Sequence, residues 1–465
     1  MLANLTPSRL SQDEPLDPVG TMRYLLGRIE TYDPTLNCFI ALDAEGALKE
    51  AAESERRLRS GQSRGPLEGI PVALKDLIDV KGWPTTAGLR EPWEACAEED
   101  AFLVSRLREA GAIVLGKLNL HEAAMGATTD NPHYGKTRNP WNPDCTPGGS
   151  SGGSGAAVAA MIVPAALGSD TMGSVRIPAA YCGISGLKPT FGRVSLRGVT
   201  PLCWSLDTVG PLARDVNDIA LLMDALDGFD SGFPHARPAP DEGKLYPIAD
   251  RNPKEFTLGV IEGWGDGETE TAVGEAFRQA LKVLQNAGCS VRTFQVEQLE
   301  LARRHGLIII EGDAALIHAR RLAEHPGQLG SDVRAQLEYG SRMPAGKLAQ
   351  ALEYRELLRS RFRRILSEVD AVISPTAPQA AFPFGGEVPP NQALFTAPAS
   401  LCGLPALSVP MGFNEQGLPL GLQLTGAPWR EDRLLELGKI YQGLSTKLGE
   451  APLSDWTRYI PGGYE

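Results

Sequence analysis

The sequence predicts an α/β protein in which helices cover a largely buried β-sheet. Segments with the 3.6-residue period of amphipathic helices alternate along the chain with short apolar segments of the strand type. Apolar strands of this kind occur in sheets that helices cover. With 42% hydrophobic and 22% charged residues, the chain also has the composition of a globular protein with a large core.

The first predicted helix begins at Asp17 and Pro18, an N-cap residue followed by a proline at the first helical position. Apolar residues then recur at the spacing of one helix face: Met22, Leu25, Leu26 and Ile29. A charged helix is predicted over residues 45–60, and Gly61 ends it. The N-terminal part of the chain is therefore predicted to be helical.

The alternation continues to the C-terminal part of the chain. Residues 69–80 (GIPVALKDLIDV) indicate a strand that runs into a loop, and residues 101–119 indicate a helix, a glycine stop and a buried strand. Residues 299–364 are mainly helical and amphipathic. Further strands are predicted at residues 257–264, 289–296, 371–378 and 405–410. A proline-rich stretch, residues 230–254, is predicted to be a surface connection.

Charge and cysteine content exclude several classes of protein. The net charge of −12 disfavours binding to nucleic acid or to anionic membranes, which attract basic surfaces. The seven cysteines are scattered and never spaced as CxxC, which favours a reducing cytoplasm over a disulfide framework or a zinc site. The N-terminus lacks the pattern of a signal peptide, and no apolar run reaches the roughly 18–20 residues of a membrane span. We expect a cytoplasmic protein without a metal or another cofactor.

The segment TPGGSSGGSG, residues 146–155, admits three interpretations. A flexible linker fits its composition, but the segment lies inside the α/β pattern and a helix-like run, AAVAAMIV, follows it. A phosphate-binding loop would need a lysine directly after the glycines, and none is present. A catalytic loop is the third possibility, because Ser151 is the central serine of a G-x-S-x-G sequence.

A serine nucleophile needs a base, and the sequence leaves several candidates. An α/β-hydrolase would place a histidine after Ser151, whereas His121 and His133 precede it. The remaining histidines lie in proline-rich or charged segments: His235, His305, His318 and His325. A lysine can act instead when burial lowers its pKa. Three lysines follow apolar strands or loops, Lys75, Lys117 and Lys188, and physical reasoning alone does not choose among them.

Several separated motifs resemble the amidase signature family, whose members hydrolyse amide bonds with a serine–serine–lysine triad. They include GIPVALKDLIDVKGWPTTAG (residues 69–88), TPGGSSGGSGAAVAA (146–160) and LGSDTMGSVRIPAAYCGISGLKPTFGRVS (167–195). Further matches are GAIVLGKLNLHEAAMG (111–126), LDTVGPLARDVNDIA (206–220), SPTAP (374–378), GLPALSVPMGF (403–413) and GLPLGLQLTG (417–426). The matches occur in the family's order from residue 69 to residue 426. The resemblance implies the amidase-signature fold, a central mixed, twisted sheet covered on both faces by helices.

The resemblance assigns the catalytic roles. Lys75 corresponds to the family's lysine, Ser150 to its bridging serine and Ser174 to its nucleophile, with a cis peptide bond before Ser150. Neutral Lys75 would accept a proton from Ser150, which in turn would accept the proton of Ser174. The backbone N–H groups of Thr171, Met172, Gly173 and Ser174 would form the oxyanion hole. Ser151 has no catalytic role in this scheme.

Neighbouring residues and one departure from the family pattern complete the predicted site. Asp170 and Arg176 flank the nucleophile, and the resemblance implies that they fix the loop. Many members have glycine where this chain has Met172, so its side chain bears on the size of the pocket. Residues 299–340 are expected to line the substrate pocket by analogy, although core packing explains the apolar residues 307–310 equally well.

The family contains more than one class of enzyme. Our main prediction is a serine hydrolase that cleaves a carboxylic amide, or an anilide, ester or carbamate, and acts as a monomer or homodimer. The alternative is the glutaminase component of a tRNA-dependent amidotransferase. Those glutaminases carry an aspartate three residues before the threonine of a TxPAN motif; here the motif is TAPAS and Ala393 occupies that position. The presence of Lys75, Ser150 and Ser174 disfavours a third class, a silent binding protein on the same scaffold.

We predict a single amidase domain over residues 1–465, because the motifs span most of the chain. Its parts are an N-terminal helical segment (1–64), the catalytic core (65–225), the proline-rich connection (226–256), a variable helical region (257–370) and the C-terminal part of the core (371–465). The expected ligand is a small amide, and neither nucleic acid nor membrane is expected to bind.

Overall fold

The computed structural model describes residues 16–240, 243–445 and 451–453. Residues 1–15, on which the signal-peptide argument rests, and the ends of the predicted domain lie outside these ranges. The first helix, α1 (Pro18–Leu36), begins as predicted, because the Asp17 carboxylate accepts a hydrogen bond from the N–H of Gly20. The second, α2 (Ala44–Arg59), is the predicted charged helix.

Helices and strands alternate over the described residues, as the sequence predicts. The further helices are α3 (Phe102–Glu109), α4 (Gly152–Ala159), α5 (Arg176–Cys182), α6 (Val216–Leu226), α7 (Thr271–Ala287), α8 (Ala302–Ile317), α9 (Ala319–Glu324), α10 (Ser331–Ser341), α11 (Ala345–Leu366), α12 (Ala397–Cys402) and α13 (Glu431–Leu444). The strands are β1 (Phe39–Leu42), β2 (Pro71–Lys75), β3 (Ile113–Leu118), β4 (Asp130–Asn131), β5 (Gly135–Lys136), β6 (Ala165–Asp170), β7 (Ser185–Lys188), β8 (Thr208–Ala213), β9 (Thr257–Ile261), β10 (Ser290–Phe294), β11 (Ala371–Pro375), β12 (Ala406–Phe413) and β13 (Pro419–Gly426). None of the described helices is both long and apolar enough to span a membrane.

One mixed sheet forms the centre of the molecule. Its eleven strands have the order β1-β3-β2-β6-β8-β7-β12-β13-β11-β9-β10. Strand β2 is parallel to both β3 and β6, whereas β6 is antiparallel to β8. Because the carboxyl ends of β2 and β6 lie at the same edge, Lys75 and Asp170, the last residues of these strands, come close together.

Both faces of the sheet are buried, which confirms the predicted layer structure. Along β2, Val72 and Leu74 belong to one apolar cluster, and Ala73, between them, belongs to a second cluster. Strand β6 divides in the same way, with Leu167 in the first cluster and Ala166 in the second. Successive side chains of a strand point to opposite faces, so each face needs its own helical layer.

Helix α4 differs from the sequence prediction at its N-terminal end. It begins at Gly152, inside the glycine-rich segment, and ends at Ala159, before the apolar residues 161–163. A Cβ atom on Gly152 would lie 2.2 Å from Thr129 Oγ1, and one on Gly153 would lie 2.4 Å from the Asn119 carbonyl oxygen. Close packing, which the helix propensity of glycine does not reveal, therefore explains these glycines.

Candidate active site

The glycine-rich segment brings Ser150 to the end of β2. The peptide bond between Gly149 and Ser150 is cis, as the resemblance implies. A Cβ atom on Gly149 would lie 2.7 Å from the backbone of Ala127 and Thr128, so the segment packs directly against another chain segment. The Ser150 carbonyl accepts a hydrogen bond from the N–H of His121. These contacts fix a serine that is fully buried.

Lys75 is the side chain that contacts Ser150. Its Nζ lies 2.7 Å from Ser150 Oγ and 2.8 Å from Ser169 Oγ, and the side chain is completely buried. Burial lowers the pKa of Lys75 to about 7, against the opposing effect of the Asp170 and Asp207 carboxylates. A substantial fraction of Lys75 is thus neutral near pH 7 and able to accept a proton through its nitrogen lone pair.

Ser169 is a contact of the lysine that the sequence prediction missed. It lies at the end of β6, beside Lys75 at the end of the parallel strand β2. A neutral amine has two N–H groups and one lone pair, so an N–H donated to Ser169 leaves the lone pair free for the Ser150 hydroxyl. In the sequence, this contact is indicated by the serine and aspartate that end an otherwise apolar strand, Ser169 and Asp170.

Ser174 lies in the turn before α5 and lines a cavity together with Gly149, the residue before Ser150. Its carbonyl accepts a hydrogen bond of 3.2 Å from the N–H of Ser151, which links the serine loop to the turn. Among the described residues, the Ser174 hydroxyl has no hydrogen-bond partner, so the predicted contact with Ser150 is not formed in this structure. Catalytic hydrogen bonds commonly tighten in the complex with substrate.

The other candidates for nucleophile and base, Ser151, Lys117 and Lys188, form their hydrogen bonds with other groups. The Ser151 hydroxyl donates to the carbonyl of Ser169, and Lys117 forms a buried ion pair of 2.7 Å with Asp76. The pKa of Lys188 is also lowered to about 7 by burial, but its Nζ donates to the Pro189 carbonyl. Of the three lysines, Lys75 is the one in contact with Ser150, whereas the lowered pKa alone does not distinguish Lys75 from Lys188.

The two histidines nearest the serine loop in sequence are also held away from the serine hydroxyls. The His121 ring contacts Thr128 Oγ1 at 3.2 Å, and burial lowers the pKa of this histidine to about 4. His133 Nε2 lies 2.9 Å from the Glu122 carboxylate. Neither ring forms a hydrogen bond with Ser150, Ser151 or Ser174, so the described residues do not form the histidine triad of the α/β-hydrolase interpretation.

The predicted oxyanion hole consists of the turn at residues 171–174. The N–H of Gly173 donates to Asp170 Oδ1 at 2.6 Å, which engages one of the four predicted donors. The N–H groups of Thr171, Met172 and Ser174 have no hydrogen-bond acceptor among the described residues. These three N–H groups and the Ser174 hydroxyl are therefore unengaged donors of the turn.

A buried ion pair holds this turn in place. Arg176 donates to both carboxylate oxygens of Asp170 at 2.9 Å, and neither side chain is exposed to solvent. Burial by itself would raise the pKa of Asp170, but the charge and hydrogen bonds of Arg176 more than offset it and lower that pKa. Arg176 also donates to Ser400 and Gln423, so the implied structural role of the pair fits its contacts.

Two further residues position the turn and were not predicted. The Thr396 hydroxyl donates to the Met172 carbonyl at 2.7 Å, and a Cβ atom on Gly173, whose φ is +131°, would lie 2.5 Å from Thr396 Oγ1. Asp207 accepts a hydrogen bond of 2.6 Å from the Thr171 hydroxyl, and burial raises the pKa of Asp207 to about 6. Both contacts join segments far apart in sequence, so no local pattern indicates them.

The cavity beside Ser174 has a volume of about 160 Å³. We call the floor the group that reaches the cavity through Thr171, Met172 and Ser174: Lys75, Ser150, Ser169, Asp170 and residues 171–174. We call the opposite group the cover: Arg303, Leu307, Ile310, Gln336, Pro389, Pro390, Gln392 and Ala393. Part of the predicted segment 299–340 thus does line the cavity, whereas Ile308 and Ile309 pack in the core, and Ile310 belongs to both the lining and the core.

Met172 joins the floor to the cover. A Cβ atom on Gly306 of α8 would lie 2.6 Å from Met172 Sδ, so the thioether occupies space that the glycine leaves open. Met172 itself lines the cavity and is partly buried. Its side chain therefore reduces the space beside Ser174, as the departure from the family pattern suggested.

The geometry of the site agrees with comparisons across the whole chain. The sequence profile of the amidase family matches residues 21–435. The chain belongs to the amidase signature family. This enzyme is 39% identical to the glutamyl-tRNA(Gln) amidotransferase A chain of Chloroflexus aurantiacus, over 90% of this chain and 92% of that protein.

Solved structures confirm the fold. The glutamyl-tRNA(Gln) amidotransferase A chain of Thermotoga maritima is 30% identical, with a TM-score of 0.81 over 97% of each chain. A second structure, described as an unexpected vestigial protein complex that reveals the evolutionary origins of an s-triazine catabolic enzyme, is 34% identical. Its TM-score is 0.88 over 93% of this chain and 97% of that one. The predicted family and the amidase-signature fold are thereby confirmed, and the chain is an amidase signature enzyme.

The names of the relatives favour the alternative function over the main prediction. The protein from Chloroflexus aurantiacus and the one from Methylococcus capsulatus, 37% identical over 94% of each chain, are both named as components of an amidotransferase. Such a component has partner chains, so these relatives do not support the expectation of a lone monomer or homodimer. Ala393 nevertheless lies in the cover of the cavity, where it presents no carboxylate.

Proposed function

We propose that this amidase signature enzyme cleaves the C–N bond of a small amide through an acyl-enzyme on Ser174. The observation that carries the proposal is the contact of 2.7 Å between Ser150 and a fully buried lysine whose pKa is lowered to about 7. A buried lysine without an acidic partner in contact has no stabilising ion pair, so its position is better explained by proton transfer than by fold stability.

The proposed reaction is a proton relay with two displacements. Lys75 takes the proton of Ser150 as Ser150 takes that of Ser174, and Ser174 Oγ bonds to the carbonyl carbon. Free N–H groups of residues 171–174 stabilise the negative charge on the carbonyl oxygen. The proton returns along the same path to the leaving nitrogen as the C–N bond breaks. Water then attacks the ester with the same relay as base, which releases the carboxylic acid and restores Ser174.

The cavity limits the size of the acyl group. Pockets for drug-sized ligands occupy roughly 300–1,000 Å³, whereas this cavity occupies about 160 Å³. The side chains of Met172, Leu307 and Ile310 make much of its lining apolar. These features support a short amide with a partly apolar chain.

A second candidate is the glutaminase component of an amidotransferase, with other chains and a tRNA substrate as partners. The named relatives favour it. Glutamine carries an ammonium group at the end remote from its amide, and a carboxylate is the group that normally pairs with ammonium in a protein site. Ala393 supplies none, so this candidate needs a different partner for the ammonium group. A cytoplasmic location is part of both proposals and rests on the cysteine pattern.

Covalent labelling tests the proposed chemistry. A fluorophosphonate should add one phosphonyl group to the purified enzyme, and peptide mapping by mass spectrometry should locate it on Ser174. Label on Ser151, or no label on an enzyme that still hydrolyses amides, would contradict the assignment. The two candidates are separated by ammonia release from L-glutamine and by partner chains that co-purify with the full-length protein.

A further inference from the structure

Arg303 is the single charged side chain among the described residues that line the active-site cavity. The other lining residues are apolar, or carry hydroxyl or amide groups such as those of Thr171, Gln336 and Gln392. A small apolar pocket with few polar groups takes its specificity from those groups. The substrate preference should therefore depend strongly on this arginine.

The direction of helix α8 places Arg303 toward the substrate. Arg303, Leu307 and Ile310 all line the cavity, at the i, i+4 and i+7 spacing of one helix face. The same face packs against the floor, because Gly306 lies against Met172 Sδ. The arginine thus lies one helical turn from a contact with the predicted oxyanion turn.

No protein group in the described chain accounts for the position of Arg303. Its guanidinium forms no hydrogen bond or ion pair with any described residue, and the residue is partly buried. Arg303 is the second residue of α8, where the dipole of the helix disfavours a cation. Neither an ion pair nor helix stability explains an arginine in the lining of the cavity.

The cavity also lacks a group for a cationic substrate. Among its described lining residues there is no aspartate or glutamate, and Ala393 ends in a methyl group. An ammonium group in this cavity would lose hydration without gaining a carboxylate partner, and it would face a positive guanidinium. A carboxylate would gain charge-assisted hydrogen bonds from the same guanidinium.

We propose that Arg303 is a specificity-determining residue that binds a carboxylate of the substrate. The preferred substrates are short amides that carry a carboxylate and no ammonium group. This inference rests on the proposed amide hydrolysis and adds the substrate class. The guanidinium contacts the end of the substrate remote from the scissile bond, so it sets affinity and takes no part in proton transfer.

Three amides separate the effect of a substrate carboxylate on kcat/KM from that of an ammonium group: L-glutamine, glutaric acid monoamide and pentanamide. Glutaric acid monoamide is L-glutamine without its α-ammonium group, and pentanamide lacks the carboxylate as well. We expect kcat/KM for the monoamide to exceed both others by at least about 10-fold, since a hydrogen bond to a charged group contributes about 1.5–3 kcal/mol. Arg303→Met should lower kcat/KM for the monoamide by about 10- to 100-fold and leave pentanamide within about 2-fold.

Matched variants separate this role from a structural one. Arg303→Lys keeps the charge and should recover part of the activity on the monoamide. Arg304→Met removes the next, exposed arginine of the same helix and should change none of the three rates. An equal loss on the monoamide and pentanamide in Arg303→Met, or no loss on either, would overturn the proposal.

Binding to a Ser174→Ala enzyme makes the test independent of turnover. In calorimetry the monoamide should bind at least about 10-fold more tightly than pentanamide, and Arg303→Met should abolish the difference. Equal binding of the two probes would overturn the role of Arg303. Tight, Arg303-dependent binding to a wild-type protein that neither labels nor hydrolyses would instead reject the proposed hydrolysis and uphold the anion site.

Discussion

Lys75, Ser150 and Asp170, in the floor of the cavity, are completely buried and hydrogen-bonded, whereas Arg303, Leu307 and Gln336, in the cover, are partly exposed. The floor is assembled from the ends of the parallel strands β2 and β6, the turn that follows β6 and the glycine-rich segment that carries Ser150. The cover comes from helices α8 and α10 and from a loop before α12. The floor is thus fixed by buried hydrogen bonds at Lys75, Ser150 and Asp170, whereas the cover combines buried residues such as Ile310 and Gln392 with partly exposed ones.

This difference indicates a division of roles between floor and cover. Lys75, Ser150 and Asp170 are held by hydrogen bonds to other residues of the site, so we expect a substitution in the floor to disturb the reaction itself, whatever the substrate. Cover residues have few partners, and their replacement changes the shape and charge that a substrate meets. Changes in the floor should accordingly reduce kcat for every amide, and changes in the cover should alter the ranking of amides.

The largest effect is expected from Ser174→Ala. Loss of the nucleophile should lower kcat/KM by at least about 10³-fold on every amide, with the fold intact. The measurement is the initial rate of ammonia release, with circular dichroism to verify folding. Ser151→Ala is the matched control, because the Ser151 hydroxyl donates only to the Ser169 carbonyl. An inactive Ser151→Ala beside an active Ser174→Ala would return the nucleophile to the G-x-S-x-G serine.

Lys75→Met should cause the next largest loss, about 10²- to 10³-fold, because the proton relay loses its base. In the wild type, kcat/KM should rise with pH through about 7, since Lys75 accepts a proton only when neutral, above its lowered pKa. The rise should disappear in Lys75→Met and persist in Lys188→Met, although the pKa of Lys188 is also lowered to about 7.

Histidine variants test whether another group causes that rise. The pKa of His121 is lowered to about 4, too far below 7 to produce it. We therefore expect the pH profile to keep its shape in His121→Gln and in His133→Gln. A rise near pH 6.5 that vanishes in either variant would contradict the lysine-base mechanism.

Arg176→Met should chiefly affect stability. The variant leaves the buried Asp170 carboxylate without its cation, which commonly costs about 3–5 kcal/mol of the free energy of unfolding. Denaturant unfolding at neutral pH measures the loss. Arg304→Met, at an exposed position, should change stability by less than about 0.5 kcal/mol. A stable but inactive Arg176→Met would show that the ion pair serves catalysis more than folding.

The resemblance located Lys75, Ser150 and Ser174 in the floor but missed Ser169, and it indicated the lining of the cover only in part. Lys75, Ser150 and Ser174 each lie within a motif of consecutive residues, so the resemblance located them. In the structure, Lys75 Nζ contacts Ser150 Oγ. The contacts of Asp207 and Thr396 with the turn at 171–174 link segments distant in sequence, which no local pattern reveals. Lys75 and Lys188 have similarly lowered pKa values, and only their three-dimensional partners distinguish them.

The cover shows why apolar periodicity alone cannot identify a pocket. Within α8, Leu307 lines the cavity, Ile308 and Ile309 pack in the core, and Ile310 does both. Because successive helical residues are rotated by about 100°, a run of apolar residues faces both directions. The N-terminal cap at Asp17 was predicted correctly, since capping depends on neighbouring residues only. Local interactions were thus predictable, and the orientation of α8 was not.

The smallest expected effect concerns the cover and the two candidate functions. Ala393→Asp adds a carboxylate to a cavity whose described lining has none. The new carboxylate can pair with the ammonium of L-glutamine and repels the carboxylate of glutaric acid monoamide. We expect the ratio of kcat/KM for glutamine to that for the monoamide to rise about 10-fold, in line with about 1.5–3 kcal/mol for a charged hydrogen bond.

Ala393→Asn is the control for Ala393→Asp, because it has nearly the same shape without the charge. In this variant the ratio of kcat/KM for glutamine to that for the monoamide should change by no more than about 2-fold. The value of kcat/KM for pentanamide shows whether the substitution damages the site in general. If wild-type enzyme already hydrolyses glutamine faster than the monoamide, and Ala393→Asp leaves the ratio unchanged, the ammonium must be bound outside the lining of this cavity. Glutamine hydrolysis in an amidotransferase, the function that the named relatives favour, would then replace the hydrolysis of carboxylate-bearing amides as the proposed function. In that case the cover residues would not determine which amides the enzyme prefers, contrary to the division of roles between floor and cover.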